Sequence, residues 1–196
     1  MEFREPDMSY TGYSYADYLT WNIPEMVEVI KGKVFKMSAA PRRIHQKISG
    51  RLHLKLGNFL HGKKCEVYNA PFDVRLSNNY NNNEHIYTVV KPDLCVICDP
   101  SKLDAAGCLG APDLIVEILS PGNSRKELQN KYEVYEESGV LEYWVISPEA
   151  ETVLVYTLRN GKYKASKLLT RGDEISTCIL PGLIIDLEEL FEGLNN

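Results

Sequence analysis

Two acidic residues interrupt the most apolar stretches of the chain: Asp93 within Val89-Val90-Lys91-Pro92-Asp93-Leu94-Cys95-Val96-Ile97, and Glu117 within Leu114-Ile115-Val116-Glu117-Ile118-Leu119. Runs dense in Val, Ile and Leu with little alternation read as strands buried on both faces. A carboxylate in such a strand must be compensated, because an isolated ion is costly to desolvate even after the protein relaxes. A Lys or Arg at the strand end would do this. So would one divalent cation shared by both acids, if the two strands are neighbours. Hard oxygen ligands of this kind suit Mg²⁺, which keeps several waters and often rests on one or two carboxylates plus a substrate phosphate. The chemistry this points to is phosphodiester hydrolysis.

A third charge belongs with the pair. In the helical segment that follows the Glu117 strand, Leu128, Lys131 and Tyr135 are spaced three and then four apart, which puts the Lys131 stem beside the face that packs on the sheet. A long side chain there can extend toward the strand ends and bring its ammonium next to the carboxylates. The plainer alternative is a surface pair with Glu127, four residues earlier. Asp113 also follows a proline, but it opens its strand just after Gly110-Ala111, where Asp commonly serves a turn. Cys95 and Cys98 form a C-x-x-C in a strand, so they point to opposite faces and read as core packing. His53 and His61 lack partners at zinc-ligand spacing and read as helix-surface residues. No nucleotide-binding glycine motif is present.

The elements needed to position these groups follow from periodicity. Ser14 to Trp21 reads as a short capped helix, and Met26 to Ile30 with Lys33 to Met37 as a hairpin across Lys31-Gly32. From Arg43 to Leu60, Ile44, Ile48, Leu52, Leu56, Phe59 and Leu60 recur at helical spacing. Strands are expected over Cys65 to Asn69, Phe72 to Leu76, Thr88 to Cys98, Leu114 to Leu119 and Glu142 to Ser147, with a helix over Ser124 to Ser138. A hairpin across 159–162 and a short closing helix complete the chain. The expected fold is α/β, a mixed sheet flanked by helices, in a single domain over 1–196 whose first 40 residues form a helix-hairpin extension on the 41–196 core.

Charge and composition narrow the partners. The formal net charge is −5, yet no acidic residue lies between Glu28 and Glu66, where Lys31, Lys33, Lys36, Arg42, Arg43, Lys47, Arg51, Lys55, Lys63 and Lys64 stand. A charge run can be no more than a solvated face, but a local basic field can also steer a polyanion to an acidic protein. The five cysteines are odd in number and scattered, the pattern of reduced thiols rather than of a disulfide framework. No apolar run is long enough to span a membrane and the first residues have no signal-peptide block, so the expected location is the cytoplasm.

Four blocks make the likeness specific: Lys91-Pro92-Asp93-Leu94, Pro112-Asp113-Leu114-Ile115-Val116-Glu117-Ile118-Leu119-Ser120-Pro121, Lys131 with Tyr135, and Gly139-Val140-Leu141-Glu142-Tyr143-Trp144. Together they resemble the Uma-two family of restriction-endonuclease-like proteins in the PD-(D/E)XK nuclease superfamily. The resemblance implies a restriction-endonuclease-like core in which Asp93, Glu117 and the Ile118 carbonyl bind Mg²⁺ or Mn²⁺. Lys131 then serves the attacking water in place of the strand lysine, because the position two after Glu117 is Leu119. It also implies accessory roles for Glu28, as an outer metal contact, and for His45, as a phosphate or proton contact; Glu127 stands where an Asp is common. DNA is the expected partner, with Arg42, Arg43, Lys47 and Arg51 on its backbone and a homodimer plausible for cutting two strands. The competing readings are a catalytically inactive DNA-binding or protein-interaction module on the same fold and a hydrolase of another phosphodiester.

Overall fold

The computed structural model describes residues 5–37, 42–77, 82–121 and 125–194. Helix α1 (Tyr15–Tyr18) leads into strands β1 (Val27–Ile30) and β2 (Lys33–Lys36), and helix α2 (Arg43–Leu60) into β3 (Glu66–Asn69), β4 (Val74–Arg75), β5 (Val89–Val90) and β6 (Leu94–Ile97). Strands β7 (Leu103–Asp104), β8 (Gly107–Leu109) and β9 (Leu114–Ile118) precede helix α3 (Arg125–Ser138). Strands β10 (Glu142–Ser147), β11 (Thr152–Arg159), β12 (Lys162–Ala165), β13 (Leu169–Thr170), β14 (Glu174–Ser176) and β15 (Ile184–Asp186) and helix α4 (Leu187–Phe191) follow.

The strands form a seven-stranded sheet in the order β12-β11-β10-β9-β6-β3, with β13 also paired to β11, and a six-stranded sheet in the order β2-β1-β5-β4-β8-β7. In the first, β9 and β10 run parallel while β6 is antiparallel to β9, so the sheet is mixed. Alternation along β6 and β9 divides the core. Leu94, Val96, Leu114 and Val116 pack with Ile48, Leu52 and Leu56 of α2, whereas Cys95, Ile97 and Ile115 pack with Val134 and Tyr135 of α3. Each fully buried aliphatic side chain contributes on the order of 1.5–3 kcal/mol, so the two helices are held on opposite faces chiefly by these contacts.

Two departures from expectation matter for the site. The stretch read as one strand over 88–98 is two strands in two different sheets, β5 beside β1 and β4, and β6 beside β3 and β9. The break is Lys91-Pro92-Asp93. Proline has no N–H to give to a ladder, so pairing stops there and the chain crosses between sheets. The hairpin expected in an N-terminal extension is paired into the second sheet through Val29 and Val89. Its turn is the expected one, with Lys31 and Gly32 both at positive φ (51° and 76°).

The cysteine reading needs a correction. Cys65 and Cys98 are joined in a disulfide, while Cys95, Cys108 and Cys178 are free. The antiparallel register pairs Glu66 with Ile97, and one further step sets the two cysteines opposite each other across β3 and β6. Spacing along the chain carries no trace of that register. The link closes a loop spanning 33 positions, for which chain entropy predicts roughly 3–4 kcal/mol of stability. Reduction, or Cys65→Ser, is therefore expected to lower the melting temperature by roughly 6–16 °C, read by thermal unfolding with and without reductant. Cys178→Ser should leave that difference unchanged.

Candidate active site

Asp93, Glu117, Lys131, Glu28 and His45 line one cleft of about 330 Å³. The register that pairs Leu94 with Val116, continued by one residue, sets Asp93 opposite Glu117. Residues opposite one another on antiparallel strands share a face. Asp93 Oδ2 accepts the Ile118 N–H at 2.7 Å, which ties the last residue of the crossover to the end of β9. Its Oδ1 lies 3.1 Å from His45 Nε2.

His45 belongs to the same stripe of α2 as Ile48, Leu52, Leu56 and Leu60, all of them buried. That spacing of three and then fours runs His45 onto the sheet at the helix's first turn, directly over Asp93. Burial disfavours the imidazolium, but the Asp93 carboxylate, Glu117 and the Ile118 carbonyl outweigh it and raise the His45 pKa.

Lys131 is 4% exposed and sits between two carboxylates that are themselves buried, Glu117 at 8% and Glu28 at 3%. Its Nζ lies 2.9 Å from Glu117 Oε1 and 3.1 Å from Glu28 Oε1. Tyr135, one turn further along α3, donates its hydroxyl to the same Glu117 oxygen at 2.7 Å. Burial opposes the ammonium, yet Glu117 and Glu28 together hold the Lys131 pKa well above its ordinary value. Burial, with the charges of Asp93 and Glu28, pushes Glu117 up to about 7 against the pull of Lys131 and Tyr135.

Glu28 takes its place through β1. The pairing of β1 with β5 brings it to the crossover, where Oε1 accepts the Lys91 N–H at 2.8 Å. Lys91 is also buried, with its Nζ 2.6 Å from the Tyr18 hydroxyl, 3.1 Å from the Val27 carbonyl and 3.0 Å from Asp73. Sequence reasoning singled out neither Lys91 nor Tyr135 as a site residue, although both stand in the blocks that carry the family likeness. Glu127 lines the cleft. Asp113 lies outside it, its Oδ2 accepting the Cys98 N–H at 2.7 Å, which is a strand-end role.

Several cations of the basic stretch have partners within the chain. Lys47 Nζ donates to the Gly193 carbonyl at 2.6 Å, and Arg51 Nη1 donates to the carbonyls of Leu190 and Glu192 at 2.9 and 2.7 Å. These cations serve the C-terminal end of α4, where carbonyls lack helical partners and the dipole favours positive charge. Arg42 and Arg43 are exposed at the start of α2, with Arg42 3.6 Å from Glu149. Lys31, Lys36 and Lys55 pair with Glu137, Glu25 and Glu189.

A family model described as "Putative restriction endonuclease", Uma2, matches residues 15–188. The chain belongs to the Uma2 family. An uncharacterized protein of Synechocystis is 28% identical over 154 residues, which is 77% of each chain. A crystal structure from Anabaena variabilis, titled as a "putative nuclease belonging to DUF820", superimposes with a TM-score of 0.69 at 18% identity, over 93% of this chain and 99% of that one. At that identity the likeness speaks to the fold, and the Uma2 fold is the one described above. Among the described residues, no helix is long and apolar enough to cross a membrane.

Proposed function

We propose that this chain is a metal-dependent endonuclease that hydrolyses DNA phosphodiester bonds. Asp93 and Glu117, with the Ile118 main-chain carbonyl, would hold Mg²⁺ or Mn²⁺. The observation that carries this reading is a single cleft lined by Asp93, Glu117 and Glu28, in which Glu117 and Glu28 both hold the buried Lys131 and Asp93 stands opposite Glu117. Lys131 lies between Glu28 and Glu117 and His45 lies beside Asp93, so three carboxylates outnumber the cations that face them, and burial, followed by the charges of Asp93 and Glu28, pushes Glu117 up. A divalent cation fits that deficit. Among the described residues no three His, Cys, Asp or Glu side chains converge as metal ligands, so a bound ion would complete its shell with main-chain oxygen, water and substrate. That is the habit of Mg²⁺ rather than of a cation in an all-protein cage.

When bound, the cation would supply a Lewis acid for the phosphate oxygen and favour deprotonation of water. Lys131, fixed from both sides by Glu117 and Glu28, orients the attacking water and offsets the negative charge that develops during in-line displacement. Tyr135 holds Glu117 in place. Glu28 acts on the site through Lys131 and through the Lys91 main chain. His45 fixes Asp93 and stands ready for a phosphate or proton contact, while Arg42 and Arg43 supply backbone contacts to DNA, which position the substrate without reading its sequence. A homodimer would present two such clefts to the two strands.

Supercoiled plasmid incubated with the pure protein and Mg²⁺ or Mn²⁺ should be nicked or linearised, and chelator should stop this. Asp93→Ala should stop it too, and nicking that persists in that variant defeats the assignment. Binding without cleavage by the wild-type chain would favour an inactive DNA-binding module.

A further inference from the structure

The cleft's lining differs from what a duplex backbone would need. Among the described residues, its two ammonium groups are already engaged: Lys131 by Glu117 and Glu28, and Lys91 by Asp73, the Tyr18 hydroxyl and the Val27 carbonyl. Four carboxylates, Glu28, Asp93, Glu117 and Glu127, line it against these two lysines. Phosphates are ordinarily drawn by Lys and Arg, so this surface favours no more of the DNA backbone than the scissile group itself.

Apart from His45, the rest of the lining among the described residues is uncharged. Met26 and Met37 stand together at the open end of the β1–β2 hairpin, joined by the Met37 N–H to Met26 carbonyl bond at 2.9 Å. Gln46 and Ser49 come from the first turns of α2, and Asn69 from the end of β3. Thioethers are polarizable surfaces that pack well on aromatic faces. Amides and hydroxyls present donors and acceptors that match a base edge. The volume, about 330 Å³, lies in the range of pockets that enclose a small molecule, roughly 300–1,000 Å³.

Resting on the nuclease reading above, we infer that the cleft takes one unpaired nucleotide. Its base packs on Met26 and Met37 with Gln46, Ser49 and Asn69 within reach of its edge, beside the phosphate that meets Asp93 and Glu117. The substrate class is then DNA with an extrahelical, frayed or single-stranded nucleotide at the scissile position, rather than continuous duplex. Taking a base out of a stack is least costly where it is already unpaired, so such structures are preferred.

The test uses two duplexes of the same sequence, one carrying a single bulged 2-aminopurine and one fully paired. Binding to the full-length protein is followed by anisotropy and 2-aminopurine fluorescence, in chelator and again with Ca²⁺. The bulged duplex should bind about tenfold more tightly, a difference near 1.4 kcal/mol, and its fluorescence should change on binding. The doubly substituted Gln46→Ala, Asn69→Ala protein, altered only at exposed positions, should lose the preference while binding the paired duplex as before. Equal affinity for the two duplexes, or a preference that survives the double substitution, overturns the inference and leaves plasmid cleavage untouched. Failure to bind either duplex under both conditions, together with no nicking of plasmid, overturns the nuclease reading as well.

Discussion

Lys131→Met is expected to destabilise the protein by about 3–5 kcal/mol, the usual result of removing one partner from a buried ion pair. The substitution keeps the length of the side chain and removes the charge, leaving Glu28 and Glu117 facing each other with no cation between them. Since a domain of this kind has about 5–15 kcal/mol in total, the variant would be only marginally folded, and loss of cleavage alone would be ambiguous. Combining Lys131→Met with Glu28→Gln resolves this. The glutamine removes one uncompensated charge and retains an oxygen for the Lys91 N–H, so urea denaturation should show part of the stability regained. Plasmid cleavage by the double variant should remain about 10²–10³-fold below wild type, the typical loss when a group stabilising the transition state is removed. A refolded double variant that cuts at the wild-type rate would show that Lys131 is structural only.

The second large effect concerns the cation. At a Mg²⁺ or Mn²⁺ concentration near a hundred times its dissociation constant, the folded state gains about 2.7 kcal/mol, which for a chain of this size is roughly 5–11 °C in melting temperature. Asp93→Ala and Glu117→Gln should each abolish that shift. Thermal unfolding with and without the cation measures it independently of any nuclease assay. An unchanged shift in both variants would place the ion elsewhere.

The site was legible in proportion to how locally its parts are specified. Asp93 and Glu117 stand out because each interrupts an apolar strand, and Lys131 because its three-then-four spacing with Leu128 and Tyr135 puts it on the packed face of one helix. His45 was reached only through the family likeness, although it stands three residues before Ile48 on the buried stripe of α2. The place of Glu28 depends on β1 pairing with β5, about sixty residues later, and no local pattern encodes a pairing of that range. The split of the 88–98 stretch turned on Pro92, whose missing N–H was visible but whose consequence, a crossover between sheets, needed the partners of both halves. Cys65 and Cys98 meet for the same non-local reason. The roles of Lys47 and Arg51 were hidden most completely, since their acceptors lie 139 to 146 residues away.

If the chain binds DNA as proposed, the clamp that these two residues place on the end of α4 changes how that affinity should respond to ions in solution. Ten cations in the basic stretch would, if all met phosphates, give a slope near −9 in log K against log salt. With Lys47 and Arg51 spent on carbonyls and Lys31, Lys36 and Lys55 facing glutamates, at most half as many counterions can be released, and the slope should be no steeper than about −4 to −5. Removing the chain beyond Leu187 would free three of those charges, Lys47, Arg51 and Lys55, and steepen the dependence, so this last segment acts as a built-in competitor for the same cations that a nucleic acid would seek.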